Sequence, residues 1–186
     1  HDTQTGTSWG TAKLSIQAAV DIASAGDTIF VAEGTYNQSV KLKDGIHIFG
    51  GYSTSTGERD YDIYYTILEG IGLEKTLITQ TSTFTNITYV DGITLQNANH
   101  SSNGGAVVLK SNGVLSHCTI RNCYTSGSGG AVYNSKGTVV NCLIELCESM
   151  GAGGAVHNLG GIVENTIIRG CKGNYAAIRN EGNGIV

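Results

Sequence analysis

The sequence has no proline, few charged residues and no long apolar run. Proline removes a backbone donor from a β-sheet, so its absence from all 186 residues favours uninterrupted strands. Charged residues make up only 14% of the chain and the net charge is −4, with no basic stripe to neutralise phosphates. We therefore expect no nucleic-acid partner. The apolar runs are too short to span a bilayer, so we also expect no membrane insertion.

The cysteines and histidines do not form a metal-binding pattern. The chain has five cysteines, none in a CxxC spacing, and only His117 and His157 lie in the cysteine-bearing part. We therefore expect neither a metal site nor a cofactor. An odd number of cysteines cannot all pair within one chain.

What the sequence does contain is an internal repeat, within a chain of 27 glycines. GGAVVL begins at Gly104, GGAVYN at Gly129 and GGAVHN at Gly153, at spacings of 25 and 24 residues, and a weaker copy, AAIRN, begins at Ala176. A second block recurs within each unit as HCTIRNC (117–123), NCLIELC (141–147) and NTIIRGC (165–171), with GITLQNA (92–98) as an earlier copy. A period of this length indicates a solenoid.

The content of each unit identifies the type of solenoid. Each repeat holds short runs of β-branched and small apolar residues separated by Gly, Ser and Asn, and no run has a helical period. This pattern predicts an all-β, single-stranded parallel β-helix in which adjacent coils lie about 4.8 Å apart. We expect one domain over residues 1–186, with coils over 27–186 and the clearest repeats over 92–180.

An amphipathic helix is predicted before the coils, from Lys13 to Ala25. Its apolar positions are Leu14, Ala18, Ile22 and Ala25, with Ile16, Ala19 and Ala23 widening the apolar face. Because a solenoid leaves core and backbone groups uncovered at its ends, we expect this helix to cap the N-terminal coil.

Stacked coils convert the repeat into ladders of like residues. The expected ladders are Cys118 with Cys142, Cys123 with Cys147 and Cys171, and Asn134 with Asn158 and Asn180. The asparagines are expected to bond to one another along the stack. For the cysteines two interpretations stay open. They are either buried, reduced thiols, or partners in disulfides or a metal site between coils.

Three segments resemble a known family. SWGTAKLSIQAAVDIASAGDTIFVAEGTY (8–36), GIHIFGGY and TILEG (66–70) resemble the N-terminal region of pectin-lyase-like right-handed β-helix proteins. The GGAV-and-Asn repeats are similar to those of polymorphic outer-membrane proteins and related bacterial adhesin-like proteins. The resemblance, together with the crossover rule, implies right-handed winding. It also implies a bacterial protein that is secreted or displayed on the cell surface.

Two groups of residues are candidates for ligand binding. Tyr133, His157 and Arg179 share an outward column that could stack on a sugar or hold an acidic group. Tyr61 and Tyr64 lie in the segment 53–66, which breaks the repeat and offers a recognition loop. Solvated surface residues would give the same pattern. In another column Glu145 lies between Arg121 and Arg169, which favours cross-strand pairing over an acid catalyst.

The sequence carries no catalytic constellation, so we expect a non-catalytic surface module for adhesion or for binding a glycan or host ligand. One alternative is a polysaccharide lyase or glycoside hydrolase that acts on an acidic polysaccharide, and an enzyme of this kind could require Ca²⁺. Another alternative is a spacer without a ligand. The chain ends at EGNGIV without an evident cap. We expect either a longer natural protein or an end-to-end contact through the last coil.

Overall fold

The apolar runs of the repeats form short strands that stack in parallel. In the computed structural model, which describes residues 2–186, the chain is an all-β parallel β-solenoid of about six coils. A 3-10 helix (Trp9–Thr11) and one α-helix, α1 (Ile16–Ile22), precede the strands. The predicted parallel solenoid is therefore confirmed.

The first two coils have three strands each and the later coils have four. The first coil holds β1 (Thr28–Ala32), β2 (Gly34–Tyr36) and β3 (Val40–Lys41), and the second holds β4 (His47–Tyr52), β5 (Thr66–Glu69) and β6 (Ile78–Thr79). The third holds β7 (Thr88–Asp91), β8 (Ile93–Gln96), β9 (Asn99–His100) and β10 (Val107–Leu109). The fourth holds β11 (Gly113–Ser116), β12 (Thr119–Arg121), β13 (Tyr124–Thr125) and β14 (Val132–Ser135). The fifth holds β15 (Thr138–Val140), β16 (Leu143–Glu145), β17 (Glu148–Ser149) and β18 (Val156–Leu159). The sixth holds β19 (Ile162–Glu164), β20 (Ile167–Arg169), β21 (Lys172–Gly173) and β22 (Ile178–Glu181).

Equivalent strands of successive coils pair into four parallel sheets. Sheet A contains β1, β4, β7, β11, β15 and β19, and sheet B contains β2, β5, β8, β12, β16 and β20. Sheet C contains β3, β6, β10, β14, β18 and β22, and the four-stranded sheet D contains β9, β13, β17 and β21. The order of strands in each sheet is the order of the coils, so each residue column of the repeat is a column in space.

The core consists of inward columns of aliphatic side chains. In sheet B, Leu95 pairs in register with Ile120 and Ile120 with Ile144, and all three are fully buried. On each of these strands the residues directly before and after the buried one point outward, because side chains in a strand alternate between the two faces. A fully buried aliphatic side chain contributes roughly 1.5–3 kcal/mol, so the repeated columns supply most of the stabilising burial.

The double glycines are required by two different constraints. Gly104, Gly129 and Gly153 have φ between +70° and +75°, a region that other residues rarely adopt. The next residue has no room for a side chain: a Cβ on Gly130 would lie 2.1 Å from the carbonyl oxygen of Gly154 in the neighbouring coil. The first glycine thus allows the backbone to turn at each GGAV, and close stacking of the backbones explains the second glycine.

The N-terminal helix differs from its prediction in length and in its buried face. It spans Ile16–Ile22 rather than 13–25, and the Ser15 hydroxyl accepts a hydrogen bond from the backbone N–H of Ala18. The buried helix residues are Ile16 and Val20, whereas Leu14 is 71% exposed. The predicted central stripe of Leu14, Ala18, Ile22 and Ala25 is therefore not the buried face, whereas Ile16 and Ala23, which were predicted to widen it, are buried. The helix packs on β1 and β3.

The two cysteine ladders consist of reduced thiols. All five cysteines are free, and Cys171 alone is not fully buried. The thiol of Cys171 accepts a hydrogen bond from the backbone N–H of Cys147 at 3.4 Å. Burial raises the pKa of Cys142 to about 12, so this thiol is neutral and unreactive at physiological pH.

The asparagine ladder forms as predicted. The Asn134 side-chain amide donates to Oδ1 of Asn158 at 2.8 Å, and the Asn158 amide donates to Oδ1 of Asn180 at 2.8 Å. Each amide also donates within its own corner, as Asn158 does to the carbonyl of Gly161 at 2.9 Å. Gln80 is fully buried in the same column, two coils before Asn134, and the repeat did not predict its burial.

Candidate functional site

The predicted row on sheet C is brought together, and its charge is neutralised. Tyr133 pairs in register with His157 and His157 with Arg179, and the Tyr133 and His157 rings meet edge-on at 5.3 Å. The Arg179 Nε donates to Oε1 of Glu181 at 2.8 Å. Because this carboxylate compensates the guanidinium, the row is a weak site for an acidic ligand.

His157 is the unusual member of this row. Both of its ring nitrogens are buried and lack a hydrogen-bond partner. Nε2 lies 3.5 Å from Oε1 of Glu181, close enough for attraction but without hydrogen-bond geometry. Tyr133 and Glu181 enclose the imidazole, so little of it can contact a ligand.

The irregular segment 53–66 folds back over sheet A and positions Arg59. The Arg59 Nε donates to the backbone carbonyl of Gly50 at 2.9 Å, and its guanidinium lies over the ring of Phe49, 5.1 Å from the centroid. Tyr61 packs against the same guanidinium at 5.4 Å. In the part of the chain that the structure describes, no ring packs against Tyr64. The predicted recognition loop therefore contributes Tyr61 to this cluster and not Tyr64.

Asp91 is the centre of the polar part of the cluster. Its carboxylate accepts hydrogen bonds from the Ser116 hydroxyl at 2.6 Å and from Nδ1 of His117 at 2.8 Å, and it forms an ion pair with Arg59. Burial raises the pKa of Asp91, but the hydrogen bonds from Ser116, His117 and Arg59 outweigh it and hold the pKa below its ordinary value. Asp91 is thus an ionised carboxylate that fixes three side chains.

His117 is held in one orientation by its two neighbours. Nδ1 donates to Asp91, which leaves Nε2 of the neutral ring as an acceptor for the Asn141 side-chain amide at 3.2 Å. The Tyr61 ring stacks on the imidazole at 5.4 Å. The backbone of His117 has φ +48°, and this corner position turns its side chain out of the sheet.

The aromatic rings around this centre form a continuous surface on sheet A. Phe30 and Tyr52 meet at 4.8 Å, Trp9 and Tyr52 at 5.8 Å, and His47 and Tyr89 at 5.5 Å. We call this surface the aromatic face, and it comprises Trp9, Phe30, His47, Phe49, Tyr52, Arg59, Tyr61, Tyr89, Asp91 and His117. Phe30 remains 54% exposed, Trp9 39% and Tyr89 37%. This cluster of partly exposed aromatic groups makes the aromatic face a candidate for a binding surface.

The geometry limits the chemistry of the aromatic face. The Ser116 hydroxyl bonds to Asp91 and not to His117, so the serine, histidine and aspartate do not form a nucleophilic relay. Within residues 2–186, no group of three or more His, Cys, Asp or Glu side chains is arranged to hold a metal ion. The arrangement can stack a flat apolar ligand surface and hydrogen-bond its polar edge.

The charged column on sheet B is structural. The Arg169 Nε donates to Oε2 of Glu145 at 2.8 Å, and the Arg121 Nε donates to Oε1 of Gln96 at 2.9 Å. Glu145 is thus paired with a base, as the sequence predicted. Exposed pairs of this kind contribute a few tenths of a kcal/mol to about 1 kcal/mol.

No protein-family model, curated protein or solved structure matches this chain. The resemblance to pectin-lyase-like and adhesin-like proteins therefore stays a prediction. None of the helices in the described residues is long and apolar enough to cross a membrane.

Sequence reasoning missed Asp91, Ser116 and His117 as a unit. Asp91 ends β7 and Ser116 ends β11, and they are neighbours because these strands pair in register. The signal was present in the repeat, since His117 occupies the corner position that Asn141 holds one coil later. An imidazole in place of a turn-forming asparagine marks a departure from the structural consensus of the repeat.

Proposed function

We propose that this protein is a non-catalytic glycan-binding module that recognises its ligand through the aromatic face. The proposal includes display on a bacterial surface or secretion, in the manner of the adhesin-like proteins that the repeats resemble. The single observation that carries it is the set of exposed rings on sheet A around the fixed Arg59–Asp91 pair.

Sugar rings present an apolar face of C–H groups and a polar edge of hydroxyls. Phe30 and Tyr89 offer exposed ring surface for the first. Arg59 can donate to the hydroxyls of the polar edge through Nη1, which has no hydrogen-bond partner among the described residues. Its Nε already donates to Gly50 and its Nη2 to Asp91. A ligand therefore meets preorganised groups and loses little conformational entropy in the protein.

The proposed relationship to pectin-lyase-like and adhesin-like proteins is supported by the sequence resemblance and by the parallel coils. The proposed secretion or surface display is supported by the sequence resemblance. Right-handed winding and the role of α1 as an N-terminal cap belong to the same proposal. The packing of the buried Ile16 and Val20 on the first coil supports the cap.

A second candidate function, polysaccharide lyase or hydrolase, is favoured by one specific observation. His117 is oriented by Asp91 through Nδ1, which is the arrangement that a general base needs. Its Nε2 faces the Asn141 amide, which would have to move before the nitrogen could take a proton from a substrate. For this reason we rank binding above catalysis.

The proposal is tested by glycan-array screening followed by calorimetry with the best ligand. We expect Phe30→Ala and Tyr89→Ala each to weaken binding by about tenfold or more, because each removes stacking surface from the aromatic face. Tyr175→Ala is the matched control, since Tyr175 is 73% exposed on another part of the solenoid. Equal loss in all three variants, or none, would refute the aromatic face as the binding surface.

The same samples separate binding from catalysis. A lyase would release unsaturated sugars that absorb ultraviolet light, and a hydrolase would release reducing ends. If either product accumulates with the native protein and disappears with His117→Gln, the enzyme proposal replaces the binding proposal. If glycan is bound and recovered intact, the binding proposal stands.

A further inference from the structure

A second concave site lies on a different side of the solenoid from the aromatic face. It is a cavity of about 300 Å³ where the loop before β6 approaches sheets C and D. Its polar lining comes from Ser39, Lys75, Thr79, His100 and Ser102, with Thr76, Asn103 and Val108 completing the walls. Three separate stretches of chain, at residue 39, 75–79 and 100–108, thus contribute to one small space.

The lining is rich in donors that the protein itself does not use. Within residues 2–186, the Lys75 ammonium has no carboxylate within ion-pair distance, and no acidic side chain lines the cavity. The hydroxyls of Ser39, Thr79 and Ser102 make no hydrogen bond to any described residue, in contrast to Thr76, whose hydroxyl donates to the carbonyl of Gly104 at 2.8 Å.

His100 is held in the lining through one of its ring nitrogens. Its Nδ1 lies 3.3 Å from the backbone nitrogen of Ser102 and 3.3 Å from the hydroxyl oxygen of Thr76. The other ring nitrogen, Nε2, has no hydrogen-bond partner among the described residues and is available to a ligand.

We propose that this cavity is an oxyanion-binding site, suited to a sulfate or phosphate group. An ammonium, an imidazole nitrogen and three hydroxyls belong to the lining residues, and the absence of a carboxylate from the lining leaves the positive charge of Lys75 uncompensated. The volume accommodates a tetrahedral oxyanion, either free or carried on a larger molecule. This inference does not depend on the function of the aromatic face.

Calorimetric titration with inorganic sulfate and inorganic phosphate, at constant ionic strength, tests the site. We expect saturable binding that Lys75→Gln weakens at least fivefold and Thr79→Val weakens by a smaller factor, because the first removes the charge and the second one donor. Lys172→Gln is the matched control, since Lys172 is an exposed lysine on β21 that does not line the cavity. Thermal unfolding shows whether each variant is folded.

Binding by the variants decides the proposal. Saturable binding that falls with Lys75→Gln but not with Lys172→Gln supports it. The proposal would be overturned if neither sulfate nor phosphate binds, or if the Lys75→Gln protein binds the anion with the same affinity as the native protein. A sulfated monosaccharide then distinguishes the source of the group: tighter binding than inorganic sulfate indicates a carried group, and equal affinity indicates a free anion.

Discussion

The last four coils and the first two use the same fold in different ways. From β7 onward each coil has four strands. The third to fifth coils repeat the same double glycine before the last strand, and the last three coils share the asparagine ladder. The first two coils have three strands each, and the segment 53–65 between β4 and β5 folds out over sheet A. Phe30 and Tyr52 of the aromatic face lie in this irregular part, whereas Tyr89 lies on β7 in the third coil. We therefore propose that the regular coils provide most of the scaffold, and that the recognition surface forms where the irregular coils meet them.

The reason for the contrast is geometric. A residue at a corner of a regular coil meets its equivalent in the coils above and below, so one unsuitable side chain disturbs two contacts. A residue on the outer face of a sheet meets solvent on one side, where large rings can be added without displacing the backbone. Three changes, taken from the largest expected effect to the smallest, test this difference.

The largest effect is expected at a glycine of a regular coil. Gly130→Ala places a Cβ 2.1 Å from the carbonyl oxygen of Gly154 and 2.7 Å from the backbone of Glu148, so the two coils must separate. We expect the free energy of unfolding to fall by about 4 kcal/mol, measured by urea denaturation. Gly10→Ala, in the N-terminal region, is the control, because no atom lies within 4 Å of its added Cβ.

A similar unfolding midpoint for the Gly130→Ala and Gly10→Ala proteins would contradict the close stacking of the coils. It would also remove the distinction between regular and irregular parts of the solenoid, since a coil that absorbs an extra methyl group at this position is not tightly constrained.

The periodic part of the fold could be predicted from the sequence because each repeat forms one coil, and equivalent residues of successive repeats stack on one another. The spacing of Gly104, Gly129 and Gly153 gave the coil length, and the positions of Asn134 and Asn158 gave a ladder that the structure contains. The helix was less predictable. Its apolar residues occur on more than one side, and only contact with β1 and β3 selects Ile16 and Val20 for burial.

The candidate site was predictable only in part. Tyr61 was selected because its segment breaks the repeat, and it does join the aromatic face. Asp91 could not be identified in the same way, because its importance depends on the return of Arg59 from a loop that has no repeat to fix its path. Tyr133, His157 and Arg179 were correctly placed in one row, but the compensating Glu181 was not foreseen.

A smaller effect is expected when the asparagine ladder is interrupted. Asn158→Ala removes the acceptor of the Asn134 amide and the donor to Asn180, at a position that is fully buried. We expect unfolding to become easier by about 3 kcal/mol, because buried polar groups lose their partners and a cavity is left. Asn180→Ala is the control at the exposed end of the ladder and should cost less than about 1 kcal/mol. Equal losses for the two variants would mean that the ladder does not stabilise the buried coils.

The smallest effect on stability is expected at Asp91, the residue of β7 that holds Arg59 of the irregular segment. Asp91→Asn removes the charge that Arg59 and His117 face, and we expect a loss of about 1–2 kcal/mol at neutral pH. Asp62→Asn, in the exposed loop, is the matched control, and its unfolding should be close to that of the native protein.

The pH dependence identifies the cause of this loss. The folded-state pKa of Asp91 lies below the ordinary value of 3.8, so its ionised form stabilises the fold at all pH values above 3.8. This stabilisation disappears as the pH falls through the lower folded-state value. The difference in unfolding free energy between the native and Asp91→Asn proteins should therefore be constant from neutral pH to about pH 4 and vanish under more acidic conditions. A difference that persists in acid would show that the carboxylate charge does not organise the aromatic face.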